Sequence, residues 1–222
     1  MNKLNHVAFI MDGNGRWGQK RQRGRNFGHI NGVKTVKKIV KASIKFKIPI
    51  VTFYVFSTEN WKRPKSEINF LFKLIISYFK QELNRVISNG IKINIIGKIS
   101  SLPLKINKTL KEVVKLTNQN KKIIVNLAIN YGSKDEIVNA AKKTGRKFNI
   151  KSLENNLYTK NLPNPDVLIR TGGHKRLSNF MLWQLAYAEI YFLDKLWPDF
   201  NNKDLQKIIK NFKTIKRNFG SV

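Results

Sequence analysis

The residues best suited to chemistry fall in three short polar runs. The first is Met11-Asp12-Gly13-Asn14-Gly15-Arg16-Trp17, followed closely by Arg21, Arg23 and Arg25 and then by Gly28-His29. Glycines let main-chain N–H groups approach a phosphate closely, and guanidinium groups grip its oxygens in pairs. Gly28-His29 stands just before a helical stripe, and a helix N-terminus also favours an anion. The second run is Phe56-Ser57-Thr58-Glu59-Asn60-Trp61-Lys62-Arg63-Pro64, with Glu67 beyond it. The third, Arg170-Thr171-Gly172-Gly173-His174-Lys175-Arg176-Leu177-Ser178-Asn179-Phe180, looks like a second phosphate cradle. Glu189 follows inside a largely apolar stretch, residues 181–192. An acid in such surroundings needs a metal or a basic side chain as partner.

Gly13-Asn14-Gly15-Arg16-Trp17-Gly18 also spells G-x-G-x-x-G. The dinucleotide fingerprint needs a helix opening at the glycines and an acid about 20 residues on to hold the ribose. Residues 19–25 are too polar to pack against a sheet, and no Asp or Glu occurs between Asp12 and Glu59. The match is therefore read as fortuitous.

These runs must be held by regular elements. Residues 6–11 form a short apolar run ending at Asp-Gly, as a buried strand and its turn would. From Ile30, apolar residues recur at Val33, Val36, Val40 and Ile44, a helical stripe closed by Pro49. Residues 50–56 predict a buried strand. A helix opening at Ser66 carries Ile68, Leu71, Phe72, Ile75, Phe79, Leu83 and Val86 and is capped at Gly90. Strands follow at 91–96, 123–129 and 167–169, with helices around 110–116 and 134–143 and a polar, Asn-rich connection before the last of these strands. The final helix carries Leu205, Ile208, Ile209, Phe212 and Ile215. Such alternation predicts one α/β domain spanning 1–222, with a mainly parallel central sheet flanked by helices. The polar runs fall after the first strand, the second, and the one ending at Ile169. Strand ends of that kind are where such sheets bind ligands.

Composition narrows the function further. The 222 residues contain no cysteine, which excludes disulfides, zinc–thiolate sites and thiol nucleophiles. No apolar run reaches the roughly 20 residues that cross a bilayer, and the N-terminus shows no signal-peptide pattern, so a cytoplasmic chain is expected. Lys and Arg number 43 against 13 acids, a formal charge of +30. The lysines are scattered among Asn and Ile, all encoded by A/T-rich codons, with no basic stripe or nucleic-acid-binding module. Nucleic acid is therefore not the expected partner; the charge favours anions in general.

In their order along the chain, the motifs resemble those of the cis-prenyltransferases that build undecaprenyl diphosphate. They are Met11 to Trp17, the Gly-His-x-x-Gly of residues 28–32, Phe56 to Pro64, Asn130-Tyr131-Gly132, Arg170 to Gly173 and Trp197-Pro198-Asp199-Phe200. The resemblance runs from His6 to about Gly220. It implies sequential cis addition of isopentenyl diphosphate to an allylic diphosphate, commonly farnesyl diphosphate, with Mg²⁺ as cofactor. Asp12 would be the essential carboxylate working with Mg²⁺, and Glu189 the other acid linked to the metal. Gly13, Asn14, Gly15, Arg16, Trp17, Arg25 and His29 would bind the allylic diphosphate. Ser57, Thr58, Glu59, Asn60, Trp61, Arg63 and Glu67 match the flexible segment that closes over substrates, with Asn60 also a catalytic candidate. Arg170, Arg176 and Ser178 would hold isopentenyl diphosphate. The acceptor of the proton released after condensation stays open among Asn60, His29 and the departing diphosphate.

The resemblance also implies an apolar product tunnel, for which Val51, Phe53, Val55, Leu71, Phe72, Ile75 and Phe79 are suitable wall material. A homodimer is implied, as are a product that partitions to the membrane and loose membrane association of the enzyme. Three positions depart from the family pattern: His174 replaces the usual Glu, Ser133-Lys134 a Gly-Arg pair, and Asn218-Phe219-Gly220 an Arg-x-Gly ending. A non-catalytic partner subunit of the same family would lack the first-motif acid, which Asp12 supplies here.

Overall fold

The structure, a computed structural model, describes residues 2–146 and 148–218. The elements are β1 (His6–Ile10), α1 (Asn14–Lys20), α2 (Gly24–Lys45), β2 (Ile50–Ser57), α3 (Lys65–Ser88), β3 (Ile91–Ile96) and α4 (Leu104–Thr117), followed by β4 (Ile123–Tyr131), α5 (Ser133–Thr144), α6 (Ile150–Glu154), β5 (Val167–Arg170), β6 (Glu189–Phe192) and α7 (Asn202–Thr214). The strands form one sheet in the order β3-β4-β2-β1-β5-β6, and every pairing is parallel.

A parallel sheet must be covered on both faces, and β1 shows how the chain achieves this. All its residues are buried, with side chains alternating between two cores. Val7 and Phe9 join a large cluster with Ile39 of α2, Phe72 and Phe79 of α3, Leu110 of α4 and Phe212 of α7. Ala8 and Ile10 join a smaller one with Leu168, Phe180, Met181 and Leu185. The helix boundaries have local causes. Asn201 caps α7 by accepting from Lys203 N–H (2.9 Å), while Asp204 Oδ2 accepts from Asn201 N–H (2.9 Å). Gly90, at φ +69°, lies just past the end of α3.

The expected helices and strands are present, but α1, α6 and β6 were not anticipated. The polar stretch after Asp12 is helical because it packs on α2 rather than on the sheet. One premise against the dinucleotide reading therefore falls, since a helix does open at Asn14; the missing downstream acid still stands against it. Likewise α2 begins at Gly24, a turn and a half before the apolar stripe. Its glycines serve close contact: a Cβ on Gly28 would lie 1.8 Å from the Asn14 carbonyl oxygen. Phe219 and Gly220 of the C-terminal motif lie outside the described residues.

A polar row crosses the middle of the sheet. Asn94 donates to Asn126 (2.7 Å), Asn126 to Thr52 (3.1 Å), and Thr52 meets His6 Nε2 (2.6 Å), whose Nδ1 reaches the Pro163 carbonyl (2.7 Å). The carbonyl fixes a proton on Nδ1, leaving Nε2 to accept from the Thr52 hydroxyl. Burial pulls the His6 pKa down from 6.5 to about 4, against smaller upward pulls from Pro163 and Asp166. The unfolded chain then binds a proton near pH 6.5 that the folded chain refuses until about pH 4. His6 therefore makes stability fall as pH drops through this window, by about 3 kcal/mol in all. Urea unfolding from pH 7 to 4 is expected to show that loss. His6→Gln should flatten the dependence, and an unchanged slope would remove His6 as its source.

Candidate active site

The loops that follow β1, β2 and β5 meet at the carboxyl ends of the strands and enclose an open cleft of about 600 Å³. Asp12 lies at its centre. Its backbone is pinned from behind: its carbonyl accepts from Thr171 Oγ1 (2.8 Å) and from Trp197 N–H (3.0 Å). Trp197 is fully buried against Phe9, Phe53 and Phe200 and donates its indole N–H to the Gly32 carbonyl (2.9 Å). The Trp-Pro-Asp-Phe run thus anchors the β1 loop to α2. Gly13, at φ +108°, turns that loop where a Cβ would meet Leu196 at 2.7 Å.

Each Asp12 carboxylate oxygen accepts from one guanidinium. Oδ1 takes Arg16 Nη2 (3.1 Å), and Oδ2 takes Arg170 Nη2 (3.1 Å). Arg170 is nearly fully buried; its Nη1 also donates to Ser178 Oγ (2.8 Å) and to the Arg176 carbonyl, while its buried Nε has no partner. Ser178 and Asn179 both adopt left-handed backbone, at φ +50° and +63°. Such residues persist where surroundings over-determine them, and here Arg170 braces Ser178.

Opposite, Glu67 in the first turn of α3 organises three basic side chains. It takes Arg25 through two hydrogen bonds (3.0 and 3.1 Å), Arg63 Nη1 at 3.1 Å and His29 Nε2 at 3.3 Å. Burial alone would raise its pKa; the hydrogen bond and charge of Arg25, aided by Arg63 and His29, hold it below the ordinary value. His29 is shifted down, chiefly by burial, with Glu67 opposing. It is therefore mostly neutral at pH 7. The cleft lining holds Arg16, Arg25, Arg63, Arg170 and Arg176 against Asp12 and Glu59, a basic wall suited to a multiply charged anion.

The turn at Thr58–Lys62 forms the remaining wall. Asn60 Oδ1 accepts from Ser57 N–H (3.1 Å), Glu59 accepts from Asn179 Nδ2 (2.8 Å), and the Trp61 indole donates to Asn130 Oδ1 (2.7 Å). Asn179 also accepts from Ser133 and Lys134 N–H (2.8 Å each), which joins the start of α5 to the cleft.

Of the residues singled out in the sequence, Asp12, Gly13, Asn14, Gly15, Arg16, Arg25, His29, Ser57, Glu59, Asn60, Arg63, Arg170, Arg176 and Ser178 line the cleft. Glu67 stands behind the arginines it holds. Thr58 and Trp61 face a neighbouring depression. Trp17 turns away, donating to Asp199 (2.7 Å) and stacking on Phe27. Within one chain Glu189 stands apart from Asp12. It begins β6, level with Val167 and Val7, about 16 Å along the strands from Asp12. Its nearest basic group is Arg217, at 3.8 Å. Tyr54 and Asn179 were missed as lining residues. Tyr54 looked like one more apolar strand residue, and Asn179 like a spacer after Ser178.

Beside the cleft an apolar cavity of about 120 Å³ opens between α2, α3 and the sheet. Met11, Asn14, His29, Val55 and Leu71 line both spaces, so the two adjoin. Val55, Leu71, Ile75 and Phe79 are on its wall as the sequence suggested, whereas Val51, Phe53 and Phe72 belong to the packed core.

An anion cleft at the strand ends of an all-parallel sheet, adjoining an apolar side chamber, defines a class of protein that handles a charged head with an apolar tail. Residues 10–220 match the family model described as "Putative undecaprenyl diphosphate synthase". An isoprenyl transferase of Clostridium perfringens is 42% identical over 227 residues, covering 98% of this chain and 90% of that protein. One from Rickettsia sibirica is 41% identical, with 99% of both chains covered. Among solved structures, lavandulyl diphosphate synthase from Lavandula x intermedia, in complex with dimethylallyl diphosphate, superposes with a TM-score of 0.94 at 32% identity over 98% of each chain. A "probable undecaprenyl diphosphate synthase" from Campylobacter jejuni gives 0.85 at 38% over the whole of both chains. The chain belongs to this prenyltransferase family.

Proposed function

We propose that this protein elongates an allylic diphosphate, farnesyl diphosphate by preference, through successive cis condensations with isopentenyl diphosphate to a long-chain polyprenyl diphosphate. The observation that carries the reading is that the arginine-walled cleft adjoins the apolar cavity across shared lining residues. A substrate can place its diphosphate against Arg16 and Arg25 with its tail passing Val55 and Leu71. Arg170, Arg176 and Ser178, on the far side of Asp12, suit the second diphosphate. Fixing both heads aligns the alkene with the allylic carbon, and the guanidinium groups offset charge growing on the leaving diphosphate.

Magnesium belongs to the same reading. Among the described residues no group of three or more acids and histidines could hold a metal alone. Mg²⁺ at phosphate sites commonly takes one or two carboxylates and completes its shell with water and phosphate oxygens. Asp12 fits: it is 27% exposed to the cleft, and each oxygen accepts from one guanidinium and keeps a lone pair. Bound there, the ion would neutralise the departing diphosphate. Asn60 lines the cleft with its carbonyl occupied by Ser57 N–H, and its amide nitrogen can donate to an anion but has no lone pair to take a proton. His29, kept neutral by burial, can take a proton at the nitrogen not turned to Glu67.

An undecaprenyl product serving cell-wall synthesis, a homodimer and a cytoplasmic enzyme loosely held at the membrane complete the reading, supported by family membership. No helix among the described residues is long and apolar enough to cross a membrane. The test is direct: the purified chain with Mg²⁺, farnesyl diphosphate and labelled isopentenyl diphosphate is expected to yield a ladder of longer lipid diphosphates. Chromatography against polyprenol standards reads the length, and no extension at any Mg²⁺ concentration sinks the proposal.

A further inference from the structure

The apolar cavity is too small for the tail it must receive. At about 120 Å³ it falls short of the roughly 150 Å³ that houses a benzene ring in a protein core. A farnesyl tail of fifteen carbons exceeds it, so a growing product presses on the walls, of which α2 and α3 form the long sides. Two ion-paired ties join these helices. The near one is Arg25 and His29 with Glu67, at the cleft. The far one is Lys37 Nζ with Glu82 Oε2, at 2.8 Å. Lys37 follows Val36 and Glu82 lies one turn beyond Tyr78, and both of those neighbours line the cavity. The far tie therefore spans the groove next to the end of the space that a lengthening chain fills.

We propose that the Lys37–Glu82 pair sets product length, by resisting the spread of α2 and α3 that each further isoprene unit demands. This rests on the elongation reading above. Elongation stops when burying another unit no longer outweighs the added spread. A tie at the far end raises that resistance for long tails and leaves short ones untouched. Both side chains are partly exposed, so the pair is weak enough to open and strong enough to bias.

The test needs Lys37→Ala, Glu82→Ala, Lys37→Glu and the exchanged pair Lys37→Glu/Glu82→Lys, each checked for native circular dichroism. Binding is read first without turnover, through the intrinsic tryptophan fluorescence, to which Trp197 on the cavity lining contributes. The single variants should bind geranylgeranyl diphosphate about two- to fivefold more tightly, the scale of a surface ion pair. Dimethylallyl diphosphate, too short to reach the tie, should bind as before. Products of the single variants should lengthen by at least one isoprene unit, most for Lys37→Glu, and the exchanged pair should return towards the parent. Equal affinity for the long tail in all variants, or an exchanged pair that behaves like the singles, overturns the proposal. Failure of the parent chain to extend any primer would instead count against the elongation reading, while the binding comparison still decides the tie.

Discussion

Asp12→Ala is expected to reduce turnover about a thousandfold while leaving the fold intact. The carboxylate is the acid between the two basic walls, held by Arg16 on one side and Arg170 on the other. Its removal takes away the proposed metal donor and loosens both guanidinium groups. The structural cost is limited, because the carboxylate is 27% exposed and the buried Arg170, though it loses its carboxylate, keeps Ser178 and the Arg176 carbonyl. The variant should melt within a few degrees of the parent while single-turnover extension of labelled substrate collapses. Retention of a tenth of the parent rate would show that Asp12 is not the essential carboxylate.

Gly28→Ala is the second large effect, and two terms compete in it. Replacing a mid-helix glycine by alanine favours the helix by about 1 kcal/mol. Here the new Cβ would sit 1.8 Å from the Asn14 carbonyl oxygen, a backbone atom that cannot rotate aside. Forcing α1 off α2 costs about 1–3 kcal/mol, so the steric term wins. For a chain of this size each net kcal/mol lowers the melting temperature by about 2–4 °C. The functional loss should be greater than the structural one. Asn14 is two residues from Asp12, and a misplacement of about 1 Å at a reacting group costs about a hundredfold in rate. A variant with unchanged melting temperature and rate would mean that α1 can move without moving the site.

The sequence made the sheet legible because its strands read as short runs rich in β-branched and other apolar residues: residues 50–56, 91–96 and 123–129 lie within β2, β3 and β4. It hid α1 because the packing surface of that helix is glycine, which carries no periodic signal: Gly18 sits against Gly24 and Gly28. β6 was hidden differently. Its Glu189 and exposed Ile190 belong to an edge strand, where alternation is weak. In the site, chemistry-bearing side chains were legible one by one, since arginines beside glycines announce an anion. Their wiring was not. That Glu67 gathers Arg25, His29 and Arg63, or that Asn179 joins Glu59 to the start of α5, depends on approaches between residues as far as 120 apart in the chain. Glu189, an acid in an apolar stretch, was expected to need a metal or a basic side chain, and within the chain Arg217 stands 3.8 Å from it.

The position of β1 in the sheet has a consequence for how the chain is made. Its two neighbours are β2, which follows soon after it, and β5, which is translated some 157 residues later. Until β5 emerges, β1 keeps one unpaired edge, and Asp12 lacks Arg170, Thr171 and Trp197, all encoded downstream. The cleft is therefore among the last parts of the molecule to exist. A nascent chain stopped before residue 167 should be unable to hold a diphosphate, and its open β1 edge is a site for mispairing with other chains. Closure of that edge is a long-range, slow event, so substrate that binds the finished cleft selectively traps molecules that have completed it.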